Sequence, residues 1–229
     1  FRDSKGFYWF GGANGLIRFT DPAGERHDAI WYRMGDKTYP LSHNRIRHIY
    51  EDKEQQLWIA TDGSINRYDY ATRQFIHYNI VDNTGTYNTN WTYYIFEDTA
   101  GQLWISTCLG GIFVVDKHKL MQSTSGQYIA EQNYSVHNGL SGMFINQIIP
   151  DNEGNVWVLL YNNKGIDKIN PRTREVTKLF ADELTGEKSP NYLLCDEDGL
   201  LWVGFHGGVM RINPKDESQQ SISFGSFSN

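Results

Sequence analysis

Short apolar runs separated by polar turn residues recur along the whole chain of 229 residues. A typical run contains β-branched, aliphatic or aromatic residues and is bounded by Gly, Asn, Asp or Ser, as at Ile112–Val115. Runs of this length and composition favour strands over helices. Helical periodicity is not convincing anywhere, and the stretch 117–132, which lacks a clear strand pattern, is predicted to be an elongated loop with an outer strand. The pattern therefore predicts an all-β protein.

A regularly spaced tryptophan marks an internal repeat. Five of the seven Trp residues are separated by 49, 46, 53 and 45 residues, and each has an Asp six residues upstream. Four of the five also have a Gly three residues upstream, whereas the second repeat has Gln55 there. The pattern D-x-x-G-x-x-W predicts a tight turn in which Asp bonds its own backbone and Gly adopts positive φ. The positions of this structural repeat are Asp3, Gly6, Trp9, Asp52, Trp58, Asp98, Gly101, Trp104, Asp151, Gly154, Trp157, Asp196, Gly199 and Trp202.

Each repeat can be divided into four short strands, with the D-x-x-G turn between the first and the second. A period of about 45–50 residues with four strands matches one blade of a β-propeller. We therefore predict a β-propeller of four-stranded antiparallel blades, with about five blades present, as a single segment over 1–229. We expect the repeated Trp rings to pack between adjacent sheets, because identical environments recur at identical spacing. The approximate blades are 1–43 (incomplete), 44–89, 90–142, 143–188 and 189–229.

The number of strands does not close a ring. The first repeat lacks most of its innermost strand, and the chain ends on an outermost strand. A closed propeller avoids open sheet edges, which invite aggregation. The chain is therefore part of a larger, seven-bladed ring, or it forms a ring that closes imperfectly, or its edges pair with those of another chain. The sequence favours the first alternative.

Composition and charge exclude several functional classes. The formal net charge is −6, and no cluster of Lys or Arg is present, which argues against binding of nucleic acid. The apolar runs are far shorter than the roughly 18 residues of a membrane span, so we expect no membrane insertion by this segment. The two cysteines, Cys108 and Cys195, can form neither a multi-disulfide scaffold nor a tetrahedral zinc site. We find no catalytic motif, metal-ligand spacing or cofactor motif, and we predict none of these sites.

The amino-acid sequence within each repeat resembles the two-component-regulator propeller repeat. The resemblance is carried by residues 41–52, Leu57–Gly63 and Asn66–Asp69, and it recurs at 97–107 and at Gly139–Ser141. It covers almost the whole chain. The sequence departs from the family pattern at Gln55, at 159–161 and at 188–191.

This resemblance implies a periplasmic ligand-sensing module, the extracytoplasmic part of an inner-membrane hybrid two-component protein. In such proteins two seven-bladed propellers precede a β-sandwich, a membrane helix, a histidine kinase, a receiver and a DNA-binding domain. Typical members detect oligosaccharides and control polysaccharide-utilisation genes. The implied partners are an oligosaccharide, the other propeller and β-sandwich segments of the parent protein, and a second copy in a homodimer. No kinase motif lies in these residues, so the chain itself is not predicted to be an enzyme.

The loops on one face of a propeller form its usual ligand site. Here the stretch 87–91, Tyr-Asn-Thr-Asn-Trp, combines amides that can bond sugar hydroxyls with rings that can stack on a pyranose. Polar loops often have this composition without binding a ligand. The candidate ligand-binding residues are Asp62, Tyr87, Asn88, Asn90, Trp91, Asn162, Lys164 and His206.

Two further questions stay open at this stage. Polar residues in the middle of the innermost strands, such as His48 and Gln147, are interpreted as satisfied hydrogen bonds around a water-filled channel, with a pocket at the channel mouth as the alternative. For function, the alternatives are a protein-interaction or dimerisation scaffold and, less favoured, an enzyme. Residues 154–171 and 199–214 are also similar to streptogramin-lyase propellers. Such an enzyme needs a metal and a general-base His, for which His206 and His137 are the only plausible candidates.

Overall fold

The computed structural model describes residues 1–21, 28–38, 40–123, 126–161 and 165–224. They form two compact units, Phe1–Asn133 and Tyr134–Asn229. Within each unit, antiparallel strands pair with their neighbours in chain order. In the described residues, no helix is both long enough and apolar enough to cross a membrane.

The first unit contains three blade-like sheets and one additional short parallel pair. In the second and third sheets, the first strand lies at one edge and the others follow outward. The sheets are β1 (Tyr8–Gly12), β2 (Gly15–Phe19) and β3 (Ile30–Tyr32); β4 (Ile46–Glu51), β5 (Leu57–Thr61), β6 (Ser64–Asp69) and β7 (Gln74–Tyr78); and β9 (Thr92–Glu97), β10 (Gln102–Thr107), β11 (Ile112–Asp116) and β13 (Gln132–Tyr134), while β8 (Ile80–Val81) pairs with β12 (Tyr128–Ile129) and α1 spans Lys117–Gln122.

The second unit repeats the same sheet twice. Short 3-10 turns at Val136–Asn138 and Gly186–Lys188 precede the two sheets. Their strands are β14 (Ile145–Pro150), β15 (Val156–Leu160), β16 (Ile166–Asn170) and β17 (Glu175–Leu179), then β18 (Pro190–Cys195), β19 (Leu201–Phe205), β20 (Gly208–Ile212) and β21 (Gln219–Ser223). The prediction of an all-β chain of four-stranded antiparallel blades is confirmed.

The first strands of neighbouring sheets contact each other within each unit. In the first unit β4 contacts β9, and in the second unit β14 contacts β18. These four strands are therefore the inner strands of their blades, whereas β1, which β4 also contacts, is the Trp-bearing strand of its sheet. The first sheet has three strands and lacks this inner strand; an isolated bridge between Arg2 and Tyr8 precedes β2.

The repeated Asp serves two donors at once. One carboxylate oxygen accepts the backbone N–H four residues downstream and thus closes the turn, as from Phe7 to Asp3 at 2.8 Å. The other oxygen accepts the indole N–H of the Trp six residues downstream. This bond satisfies the indole N–H, a polar donor that is costly to bury without a partner. The Trp Nε1 to Asp Oδ2 distances are 2.8 Å for Trp9 and Asp3, 2.8 Å for Trp58 and Asp52, 2.9 Å for Trp104 and Asp98, 2.8 Å for Trp157 and Asp151, and 2.6 Å for Trp202 and Asp196.

The rings of these tryptophans belong to the packed interior of the sheets. Trp9, Trp58, Trp104 and Trp157 are buried, and Trp202 is partly exposed. The fourth residue of each turn adopts a left-handed conformation. It is a glycine in four repeats, whereas Gln55 takes this position in the second repeat with φ of 61°.

The prediction of an elongated loop over 117–132 is wrong at its beginning. Residues Lys117–Gln122 form α1, whose N-cap Asp116 accepts hydrogen bonds from the backbone N–H groups of His118 and Lys119. Six residues are too few to reveal a helical periodicity, so the sequence pattern could not show this helix. The cap residue is the available local signal.

Candidate functional site

Four of the predicted ligand-binding residues surround one cavity in the first unit. The cavity has a volume of about 270 Å³ and lies between the loop before β9 and the turn between β10 and β11. An indole ring, a phenol ring and two amides thus line the same space. The lining residues are Thr86, Tyr87, Asn88, Asn90, Trp91, Leu109 and Gly110.

The loop before β9 is held by its own hydrogen bonds. The buried carboxylate of Asp82 accepts the backbone N–H of Tyr87 at 2.8 Å and the hydroxyl of Thr84 at 2.5 Å. Asn88 Oδ1 accepts the backbone N–H of Asn90 at 3.0 Å. A loop whose polar groups are already satisfied loses less conformational entropy when a ligand binds.

Trp91 differs from the tryptophans of the repeat because its side chain is 47% exposed. Its backbone has φ of 54°, a left-handed conformation that costs about 1–3 kcal/mol for a residue other than glycine. Two hydrogen bonds hold it there: its N–H donates to the carbonyl of Asp62 at 3.0 Å, and its carbonyl accepts the N–H of Cys108 at 2.9 Å. The surrounding structure thus fixes the backbone of Trp91, and its exposed aromatic ring lines the cavity.

Asp62 is an ion-pair partner of two arginines from β4 and the residue before it. Arg47 donates from Nε to Asp62 Oδ1 at 2.7 Å and from Nη2 to Oδ2 at 3.3 Å, and Arg45 Nη1 lies 3.7 Å from Oδ2. The Arg47 guanidinium also lies 4.4 Å from the ring centre of Tyr93. The sequence analysis selected Asp62 but missed both arginines as site residues, because inner-strand residues gave no loop signal.

Cys108 adjoins this cluster but is not an activated nucleophile. Its side chain is buried, and burial raises the pKa of the thiol above its usual range. A raised pKa keeps the thiol protonated at neutral pH, whereas reactive cysteines have depressed values. Both cysteines are free.

Of the remaining candidates that the structure describes, Asp62 and His206 are not among the residues that line this cavity. His206 lies in the turn between β19 and β20 of the second unit and is exposed. Asn162 and Lys164 lie outside the described residues. Within the described part of the chain, no group of three or more His, Cys, Asp or Glu side chains could hold a metal ion.

Polar residues on the inner strands bond to the next inner strand. Gln147 on β14 donates to the carbonyl of Leu193 and accepts its N–H, both at 2.8 Å. His48, at the equivalent position of β4, accepts the N–H of Ile95 on Nδ1 at 3.3 Å. Its ring stacks on Tyr94 with centroids 3.8 Å apart, and burial lowers the pKa of His48 to about 4. These two side chains therefore join neighbouring blades. Their polar groups are hydrogen-bonded as predicted, and the water-filled channel stays a prediction.

Residues 40–63 match the model of the two component regulator propeller. This stretch of the chain carries one such propeller repeat. The matched residues contain the end of the loop before β4, all of β4 and β5, and the D-x-x-G-equivalent turn at 52–55. The family resemblance inferred from the sequence is thus confirmed. A comparison with curated protein sequences found no significant match.

Solved structures of extracellular domains of bacterial regulatory systems are similar to this chain. The chain is 98% identical, over 99% of its length, to the extracellular domain of the candidate one-component system BT4673 from B. thetaiotaomicron, with a TM-score of 0.94. It spans 30% of that chain, or roughly a third of the relative's length. The propeller repeat of this chain is therefore similar to part of a larger extracellular propeller domain.

Two more distant structures share the fold. The extracellular domain of the candidate hybrid two-component system BT3049 from B. thetaiotaomicron is 20% identical, with a TM-score of 0.76, over 97% of this chain and 29% of that one. A catalytically inactive virginiamycin B lyase from Staphylococcus aureus, solved with quinupristin, is 14% identical, with a TM-score of 0.67, over 99% of this chain and 69% of that one. At these identities the likeness concerns the fold alone.

Proposed function

We propose that this chain is part of the extracytoplasmic sensor of a bacterial regulator and binds an oligosaccharide at the cavity beside Trp91. The observation that carries the proposal is the half-exposed Trp91 ring, fixed by two backbone hydrogen bonds at a cavity that Asn88 and Asn90 also line. The extracellular origin of the 98% identical relative supports it.

The side chains at this cavity suit a sugar. An indole face can pack on the apolar C–H face of a pyranose, and amides offer both donors and acceptors for its hydroxyls. The cavity of about 270 Å³ is close to the lower limit of about 300 Å³ for small-molecule sites. We therefore expect it to accept one residue of a longer oligosaccharide.

The proposal extends to the parent protein. We place the chain in a periplasmic sensor region that contains further propeller and β-sandwich segments, acts as a homodimer and controls polysaccharide-utilisation genes. The sequence resemblance implies a hybrid two-component protein, whereas the 98% identical relative is described as a one-component system. The sensor role is common to both, and the proposal assigns no catalysis to this chain.

Calorimetric titration with a panel of oligosaccharides tests the proposal. The panel is applied to this chain and to the full extracellular domain, and Trp91→Ala and Asn90→Ala are compared with wild type. Trp31→Ala is the matched control, because Trp31 is 48% exposed on β3 and does not line the cavity. We expect Trp91→Ala to weaken binding by about tenfold or more, as for a central aromatic contact, and Trp31→Ala to leave it unchanged.

Two outcomes contradict the proposal. If a glycan binds and both cavity variants bind it as well as wild type, the site is elsewhere. If the whole panel is silent while the folded protein dimerises, the blades act as an interaction scaffold.

A further inference from the structure

The cluster beside the cavity carries an excess of positive charge. Arg45 and Arg47 contribute two guanidinium charges and Asp62 one carboxylate, so one positive charge is left over. No charged residue is among those that line the cavity itself. The formal charge of the chain is −6, so this local sign is opposite to the overall one.

The two arginines are not equivalent. Arg47 is engaged with Asp62 through two hydrogen bonds, and its side chain is 24% exposed. Arg45 reaches the same carboxylate only at 3.7 Å, and its side chain is 53% exposed. Within the described part of the chain, that contact is the one polar interaction of the Arg45 guanidinium. Its planar set of N–H donors is therefore available to a ligand.

Backbone hydrogen bonds link Arg45 to the loop that carries the exposed indole. Asp62 donates its N–H to the carbonyl of Arg45 at 3.4 Å and accepts the N–H of Trp91 on its own carbonyl at 3.0 Å. A single residue, Asp62, thus joins the backbone of Arg45, just before β4, to the loop that carries the Trp91 ring.

We propose that the oligosaccharide bound at Trp91 carries an oxyanion, a carboxylate or a sulfate ester, and that Arg45 binds this group. The inference rests on the proposed function and specifies the ligand class for the same cavity. Guanidinium groups match carboxylate and related oxyanions with two parallel hydrogen bonds. Arg47 is a positioning residue that keeps Asp62 neutralised, so that the carboxylate of Asp62 does not repel the ligand.

Calorimetric titration with matched pairs of ligands tests the inference. The first arm uses trisaccharides of galacturonate, mannuronate and guluronate, each beside its methyl ester, which keeps the sugar and removes the charge. The second arm uses O-sulfated trisaccharides, each beside its unsulfated parent. Wild type is compared with Arg45→Met, which keeps an unbranched side chain, and with Arg73→Met as the control. Arg73 is exposed in the turn between β6 and β7, away from the cavity lining.

We expect one charged ligand to bind at least about tenfold more tightly than its neutral partner, because charge-assisted hydrogen bonds are stronger than those between neutral groups. Arg45→Met should reduce this ratio to less than about twofold, and Arg73→Met should leave it unchanged. Raising the salt concentration should weaken the binding of the charged ligand and not that of the neutral one, because salt screens the ion pair. The arm that responds identifies carboxylate or sulfate as the group bound.

The failures can be told apart. If neutral glycans bind and Trp91→Ala weakens them, but charge and Arg45→Met make no difference, the inference is wrong and the proposed function stands. If Arg45→Met weakens neutral and charged ligands equally, Arg45 shapes the site without recognising charge, and the inference is again wrong. If no oligosaccharide binds to the folded chain, both proposals fall.

Discussion

Replacement of His48 by Gln should keep the hydrogen bond between two blades and remove its sensitivity to acid. The chain already contains this alternative, because Gln147 occupies the equivalent position of β14 and bonds both backbone groups of Leu193 at 2.8 Å. His48 makes one such bond, from Ile95 N–H to Nδ1 at 3.3 Å. When His48 is protonated, Nδ1 becomes a donor and can no longer accept this hydrogen bond.

The size of the effect follows from the pKa of His48. Burial lowers it from 6.5 to about 4, so the unfolded chain takes up a proton before the folded chain does. Between these two values acid therefore favours unfolding, and the stability due to neutral His48 is fully present above pH 6.5 and is lost as the pH falls toward 4. The fall of the pKa from 6.5 to about 4 corresponds to at most about 3.5 kcal/mol. The side chain is partly exposed, so we expect about 2 kcal/mol.

At neutral pH the variant should be close to wild type. His48→Gln loses the stacking on Tyr94, about 0.5–1.5 kcal/mol. It can gain a hydrogen bond to the carbonyl of Ile95, about 1 kcal/mol. These changes nearly cancel, so the two proteins should separate only as the solution is acidified.

Urea unfolding at pH 7.5, 6.5, 5.5 and 4.5 measures the effect. The free energy of unfolding should fall by about 2 kcal/mol less for His48→Gln than for wild type over this range. The carboxylates titrate in both proteins and cancel in the comparison. His206→Gln, the same replacement at an exposed histidine, is the control and should follow wild type. Parallel pH profiles for His48→Gln and wild type would refute a buried, neutral His48.

Two further stability predictions concern the first unit. Gln55→Gly should stabilise the protein by about 0.5 kcal/mol in urea unfolding. A non-glycine residue in the left-handed conformation costs about 1–2 kcal/mol, and the greater freedom of glycine in the unfolded chain offsets part of the gain. A loss of stability would contradict the strain at Gln55. Lys117→Met should destabilise by about 3 kcal/mol or more, because Lys117 Nζ lies 2.8 Å from Glu97 and 3.2 Å from Asp52 with all three side chains buried. Lys119→Met, on the same helix but 66% exposed, should cost less than about 1 kcal/mol, and equal losses would show that the ion pairs are not responsible.

The sheets could be predicted from the sequence because their signals are local. A turn needs Asp at its first position and a residue that tolerates positive φ, and both appear within four residues of each other at Asp98 and Gly101. What the spacing did not reveal was the bond from the Asp carboxylate to the indole of Trp104, at 2.9 Å. That bond depends on how the hairpin folds back on itself, which is not evident from the order of the residues.

The candidate site could be predicted only in part, and the reason is again the range of the interactions. Trp91 and Asn90 belong to a loop whose composition suggests a sugar, so the sequence identified them. Arg45 reaches the same region through Asp62, whose backbone bonds link residues from three separate segments of the chain. Such a contact is formed only when β4 and the loop before β9 come together, and no pattern along the chain records it.

In the proposed arrangement, the stability of the blades and the recognition of a ligand therefore depend on different residues of the same repeat. The Asp and Trp of each turn are occupied with each other, and so they offer little to a ligand. The inner-strand residue four positions before that Asp is occupied with the next blade, as His48 shows. Trp91 in the loop before β9 and Arg45 just before β4 have side chains that are about half exposed. The hydrogen bonds that link these two residues to Asp62 and Cys108 are made by backbone groups, so replacement of either side chain should leave the blades folded and, if the proposals are right, weaken binding.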